Sequence, residues 1–362
     1  MDRTTGQRVA GVAWFLAVVA LIAGLGSSAP TRAFDVVRGV IIVGEATGNA
    51  PRVYVYDAQT GREIASFFAF DASATGGVRV ITFDINDDQV ADIIAAPGPG
   101  SGAFVRVFDG RTLELISSFA PYGNQYNSGM RVAAPPAANQ SGVIVTFAET
   151  PGNPVRAFNT QNWEQIAEID PYDGQSGILG GDILPRSGGV PLPQVIVVPR
   201  NNIFSIVMCY LSRGLGDCSV QLPPIPPEWR NGTVIIAEEE AFFTGPALAR
   251  ETVLGIEATK PITVQVHNPA TFAVVRAITA YEDSQSGGVE LGSGDLNGDG
   301  FSDVITGPGP DDLPLVKVFD GKTGRQLRSF IVINPAYRRG VTVAWSASTP
   351  LTQRVHLPLV VR

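Results

Sequence analysis

Four oxygen-bearing side chains alternate along LGSGDLNGDGFSDVITGPGP, Leu291 to Pro310. Counted from Asp295, they are Asp295, Asn297, Asp299 and Asp303 at positions one, three, five and nine. Gly300 stands at six and Phe301 at seven. Alternating carboxylate and amide oxygens on a tight loop are a donor set for a hard divalent cation, calcium above all. Position six must turn sharply, which glycine does without strain. Position seven supplies only a backbone carbonyl, so Phe301 is acceptable there. A second copy, FDINDDQVADIIAAPGPG (Phe83 to Gly100), puts Asp84, Asn86, Asp88, the carbonyl of Val90 and Asp92 at the same five positions. Gln89 replaces the glycine at six, which predicts a strained turn and weaker binding. Without a metal, either loop is an acidic turn whose Asp and Asn side chains cap backbone amides.

Other chemistry is scarce. Position twelve of the first loop is Thr306 rather than Glu, and DVITGPGP behind it is β-branched and rich in Gly and Pro. No helix can follow, which excludes a helix-loop-helix calcium hand and a dockerin-like module. Two histidines in 362 residues leave little for a histidine-based catalytic or zinc site. His267 falls in a packing slot and His356 in the C-terminal tail. There is no nucleophile elbow and no second base for a serine triad. Paired carboxylates for glycoside hydrolysis need only proximity in space, which spacing does not reveal. Glu238, Glu239 and Glu240 are adjacent, do not share a strand face, and read as a solvated turn. A net charge of -8 argues against a nucleic-acid partner and is compatible with cation binding.

The elements that must position these loops repeat. VYVYDAQTGREIASFFAFD (Val53 to Asp71), VRVFDGRTLELISSFAPYG (Val105 to Gly123) and VKVFDGKTGRQLRSFIVIN (Val316 to Asn334) are copies of one unit, with weaker copies at Val155 to Asp173 and Val264 to Asp283. Each is a short strand, a turn and a second strand. Asp57, Asp109, Asn159, Asn268 and Asp320 hold the same place, where their side chains can bond the backbone two residues on. Their spacings are 52, 50, 109 and 52 residues, so the long gap should hold one more copy, with Cys209 in the Asp position and QLPPIPPEWRNG as an insertion. A strand precedes each pair (ADIIAAPGPG, GVIVTFAETPG, PQVIVVPR, ETVLGIEAT, SDVITGPGP) and another leads each unit (GGVRVITF, SGMRVAAP, SGILGGDI, NGTVIIAE, GGVELGSG).

With 40 Gly, 27 Pro and only 17% charged residues, the chain reads as all-β. Four short strands per unit, six times over, predict a β-propeller of six four-stranded blades. The first unit lacks its leading strand and the chain ends on a spare one, RGVTVAWS (Arg339 to Ser346). Pairing the two would close the ring. Two separate three-unit domains are the alternative, with no linker to divide them.

The ends read differently. Arg3 and Arg8 precede the apolar run Val9 to Leu25 and the small-residue stretch GSSAPTRAFD, the order of a secretory signal. The expected division is a signal peptide over 1–33, a six-repeat domain over 34–350 and a tail over 351–362. If uncleaved, the first segment is long enough to span a membrane. In an exported chain Cys209 and Cys218, the only cysteines, are expected to pair as a disulfide clamping one hairpin, the alternative being two free thiols. The tail TQRVHLPLVVR is either a sorting feature or an edge strand.

GDLNGDGFSDVITGPGP resembles the calcium loops of FG-GAP propeller repeats, found in integrin alpha-chain heads and many bacterial surface proteins. Thr306 to Pro308 stand where that family has Gly-Ala-Pro, and Ala95 to Pro97 fit it also. The resemblance implies structural calcium at both loops, a secreted or cell-surface location, and a monomeric, non-catalytic propeller that binds an extracellular protein or glycan. A secreted polysaccharide hydrolase or lyase with a channel active site is the rival expectation. A structural envelope protein is a third.

Overall fold

The computed structural model describes residues 36–135, 142–174, 178–183, 194–199, 207–210, 218–221, 233–237, 242–246, 261–268, 273–282 and 288–347. The N-terminal apolar run, the Pro-rich insertion, Glu238 to Glu240 and the C-terminal tail lie outside them. Among the described residues no helix is long and apolar enough to cross a membrane.

The chain lays down β1 (Val40–Glu45), β2 (Arg52–Asp57) and β3 (Glu63–Phe68). A second set is β4 (Val78–Phe83), β5 (Asp92–Pro97), β6 (Val105–Phe108) and β7 (Leu115–Phe119). The third is β8 (Met130–Ala133), β9 (Val143–Ala148), β10 (Val155–Asn159) and β11 (Gln165–Ile169). The fourth is β12 (Ile178–Ile183), β13 (Gln194–Pro199), β14 (Val207–Tyr210) and β15 (Cys218–Gln221). The fifth is β16 (Thr233–Ala237), β17 (Phe242–Pro246), β18 (Ile262–His267) and β19 (Val274–Tyr281). The sixth is β20 (Val289–Gly294), β21 (Asp303–Pro308), β22 (Leu315–Phe319) and β23 (Gln326–Ile331), after which comes β24 (Val341–Ser346). Each set of four forms one antiparallel sheet, and β24 supplies the missing first strand of the first sheet. It pairs with β1 from Val40↔Ser346 to Glu45↔Val341, so the two ends of the domain share a sheet, as the strand bookkeeping predicts.

Burial explains the strand compositions. The second strands β5, β9 and β21 are buried at every residue, hence near-continuous apolar runs such as VIVTFA. The last strands β7 and β19 are largely exposed. The cores lie between successive sheets. Ile42, Val53, Phe67, Val80 and Ile93 join the first and second, while Ile41, Val43, Ile305, Val318 and Val343 join the sixth and first. The lead strands neighbour one another in a cycle: β24 with β4, β4 with β8, then β12, β16, β20 and back to β24.

Two registers correct the sequence reading. A β-bulge interrupts the third and fourth strands of every sheet at one equivalent place, among them Val55/Tyr56, Val107/Phe108, Met208/Cys209 and Val318/Phe319. Cys209 therefore sits in the aromatic slot of Phe108 and Phe319, and Tyr210, not Cys209, takes the Asp position. The spacing argument was one residue short because it assumed a constant unit length. The slot faces the core, so a small apolar thiol suits it, and Cys209 is fully buried. Cys209 and Cys218 are directly paired across β14 and β15 and are joined by a disulfide. In the fifth sheet the second strand is β17, FFTGP, rather than ETVLGIEAT, whose residues lie outside those described. Thr244-Gly245-Pro246 repeats the Thr306-Gly307-Pro308 ending, a signal that was legible.

The Asp turns also differ in reach. Asp57 and Asp320 accept the N–H three residues on, from Thr60 at 2.7 Å and Thr323 at 2.8 Å. Asp109 accepts from both Arg111 and Thr112, and Asn159 from Gln161 two residues on.

A tyrosine latches successive sheets. The hydroxyls of Tyr122 and Tyr172, just beyond their fourth strands, and of Tyr281, at the end of β19, donate to the carbonyls of Thr146, Val197 and Thr306 in the next sheet's second strand, at 2.8, 3.1 and 2.9 Å. At the seam between sixth and first sheets Ile333 replaces that tyrosine, and its N–H donates to the Tyr56 hydroxyl instead, at 2.6 Å. Lead strands three places apart also meet. Arg131 on β8 makes a two-pronged ion pair with Glu290 on β20, at 3.0 and 2.7 Å, and both side chains are largely buried.

Candidate metal centre

The loop from Asp295 to Asp303 joins β20 to β21. Its position two, Leu296, is fully buried against Val37, Ile41 and Ile305, and its carbonyl accepts the Arg38 N–H at 2.8 Å. That anchor ties the loop to the residues just before β1, beside the seam. Asp303 is completely buried. It accepts the N–H groups of Leu296, Asn297 and Gly321 at 3.0, 3.1 and 3.2 Å, joining both ends of the loop to the turn after β22. Asp295 gathers the N–H groups of Gly298, Asp299 and Gly300 at 2.7, 3.0 and 3.0 Å. Asn297 accepts from Asp299 N, and Asp299 from Phe301 N, each at 2.9 Å.

The loop from Asp84 to Asp92 joins β4 to β5 in the same way. Asp92 is completely buried and accepts from Ile85 N and Gly110 N, each at 2.9 Å. Asp84 accepts from Asp88 N and Gln89 N, and Asp88 accepts from Val90 N. Positions four and six are left-handed in both loops. In one they are glycines, Gly298 and Gly300, with φ of 77° and 81°; in the other they are Asp87 and Gln89, with φ of 59° and 68°. Gln89 is therefore held where glycine is at ease, as the sequence predicts. Gln89→Gly should stabilise the calcium-free protein by about 0.5–1 kcal/mol in urea unfolding, and destabilisation would contradict the strain.

Two buried carboxylates carry the electrostatic cost of these loops. Burial pushes Asp303 up to about 7; Asp320 nearby adds to the rise, and the Gly321, Asn297 and Leu296 N–H groups oppose it. Burial likewise pushes Asp92 up to about 6, with Asp109 adding and the Gly110, Ile85 and Asn86 N–H groups opposing. The folded chain thus holds these protons more tightly than the unfolded one, whose carboxyls sit near 3.8. The stability they contribute is complete below about pH 4 and is lost as pH rises through 6 and 7. With chelator present, the urea midpoint should fall between pH 4.5 and 7.5 by an amount worth roughly 5 kcal/mol at most. Asp303→Asn should flatten most of that slope. A wild-type midpoint that climbs with pH would refute the assignment.

Among the described residues, no three His, Cys, Asp or Glu side chains form a group that could hold a metal ion. The carboxylates and Asn297 are turned onto the loop's own amides. The chemistry of the donor set nevertheless fits calcium: every candidate donor is a hard oxygen, and an ionised carboxylate oxygen that accepts one N–H retains a second lone pair. A cation already stands at position five of each loop. Arg111 Nε lies 2.9 Å from Asp88 Oδ2, and Lys322 Nζ lies 3.9 Å from Asp299 Oδ2.

Four features escaped the sequence reading: the apolar anchor at position two (Ile85, Leu296), the second carboxylate (Asp109, Asp320), the glycine after it (Gly110, Gly321) and the basic residue beyond. The signal for the last three is the tetrapeptide DG[RK]T, Asp109 to Thr112 and Asp320 to Thr323, which occurs only in the two units that carry acidic loops. Gly110 has no room for a side chain, since an added Cβ would lie 2.2 Å from the Ala91 carbonyl oxygen. His267 is buried opposite Phe242 and Val274, in the packing slot expected of it. Comparison of the chain with models of known protein families and with curated proteins finds no match.

Proposed function

We propose that the six sheets are blades of a β-propeller, stiffened by calcium at the Asp84–Asp92 and Asp295–Asp303 loops, and that the protein is a secreted or cell-surface binding module for an extracellular protein or glycan. The cycle of lead strands and the β24–β1 pairing support the ring. The acidic loops, their fit to an all-oxygen cation site and the resemblance to FG-GAP repeats support the calcium. Bound calcium would neutralise carboxylates crowded at one end of a blade.

The observation that carries the non-catalytic reading is the pairing of the lead-strand charges. A channel enzyme of this fold would place free acids along the lead strands. Glu290 is held instead by Arg131, and Glu149, just beyond β9, by Arg79 at 3.0 Å with both side chains buried. Among the described residues, these two carboxylates near the lead strands are engaged by arginines. Screening purified protein on a glycan array with calcium present, together with polysaccharide digestion assays, tests this. Binding without turnover is the expected result, and cleavage of any polysaccharide would overturn it.

A further inference from the structure

We propose that Arg111 and Lys322 are tethered competitors of the cation at their loops, and that Arg111 opposes calcium more strongly than Lys322 does. This rests on the calcium reading above. Both residues stand two places after the aspartate that follows the third strand, and both reach back to position five of the preceding loop. Arg111 grips it twice, with Nε on the Asp88 carboxylate at 2.9 Å and Nη2 on the Asp88 carbonyl at 2.8 Å. Lys322 is looser. Its ammonium is 3.9 Å from Asp299 and lies 4.3 Å from the centre of the Phe301 ring, which offers the charge a second resting place.

The basic residue tracks the acidic loop through the chain. The same place is Gln161, Ser212 and Ala270 in the three units whose junctions lack the alternating acids, and Gln59 in the first unit, whose lead strand β24 comes from the far end of the domain. A turn that needed only solubility would show no such correlation. A carboxylate oxygen engaged by a fixed guanidinium is a poorer ligand for a dication, because the two charges repel and one must leave. Both pairs are partly exposed, so solvent screens the effect and keeps it modest. The two sites should therefore fill in order. The Asp295 loop, anchored at the seam, binds first. The Asp84 loop, with Arg111 across position five and Gln89 at position six, fills only at higher calcium.

Calorimetric calcium titration of the full chain at low ionic strength tests this. Asp299→Ala silences the Asp295 loop so that the Asp84 loop is read alone, and Asp88→Ala does the reverse. Arg111→Gln should tighten the Asp84 loop by about fivefold, Arg111→Lys by less, and Lys322→Gln should tighten the Asp295 loop by about twofold. Melting curves in chelator establish that each exposed substitution leaves the fold intact. If the wild type binds two calcium ions and Arg111→Gln leaves affinity unchanged or weakens it, the competition is wrong while the calcium reading stands. If neither wild type nor any variant binds calcium, both fail together.

Discussion

Glu290→Ala should cost about 3–5 kcal/mol of stability, the penalty of leaving a buried arginine without its carboxylate. Removing the carboxylate strands Arg131, whose side chain is only 19% exposed, without its two-pronged partner. Arg131 Nε has no hydrogen bond among the described residues, and the other carboxylate that acts on the guanidinium, Glu149, is already paired with Arg79. The cost should depend on which partners are removed. Arg131→Met with Glu290→Leu deletes both charges, and it should be near neutral because desolvation of the pair consumes most of its Coulombic gain. The pair links strands from sheets three places apart, so its loss should loosen the domain as a whole rather than one hairpin. Urea unfolding of the single and double variants measures this. A single variant costing under about 1 kcal/mol would mean that the pair is solvated and contributes as little as a surface bridge.

Calcium should raise the melting temperature by about 5–10 °C at a hundredfold excess over its dissociation constant. A ligand of the native state at that excess contributes about 2.7 kcal/mol, and a domain of this size gains about 2–4 °C for each. The gain should be greater at pH 8 than at pH 5.5, because protons on Asp303 and Asp92 compete with the metal for the same negative charge. Magnesium should do less, since it tolerates irregular loops poorly. Melting in calcium, in magnesium and in chelator at both pH values is the measurement. Identical curves would make both loops metal-free turns capped by their own carboxylates.

The fold was legible because each unit repeats strand, turn and bulge on one short template, and self-similarity survives substitution that obscures any single unit. The misreadings came where one unit departs from the template. Cys209 was assigned one residue out of register because unit lengths vary. β17 was passed over because Phe242–Pro246 follows an acidic run that read as a turn, although its TGP ending matches β21. At the loops, the alternating acids announce positions one to nine by themselves. The partners that surround them do not, because Gly321, Lys322 and Asp320 lie some twenty residues away and reach the loop only through the pairing of β21 with β22.

The sequence by itself determined the repeat of four short strands, the pairing of Arg339 to Ser346 with the first unit and the two acidic loops, and it raised the cysteine pair that the structure joins. Each follows from local chemistry or from a period along the chain. Only the tertiary structure decided that Arg131 meets Glu290 across 159 positions, that Asp92 and Asp303 are buried while Asp88 and Asp299 remain partly exposed, and that a basic side chain stands at position five of each loop. Those contacts depend on how sheets pack against one another, and packing brings together residues whose separation along the chain carries no period at all.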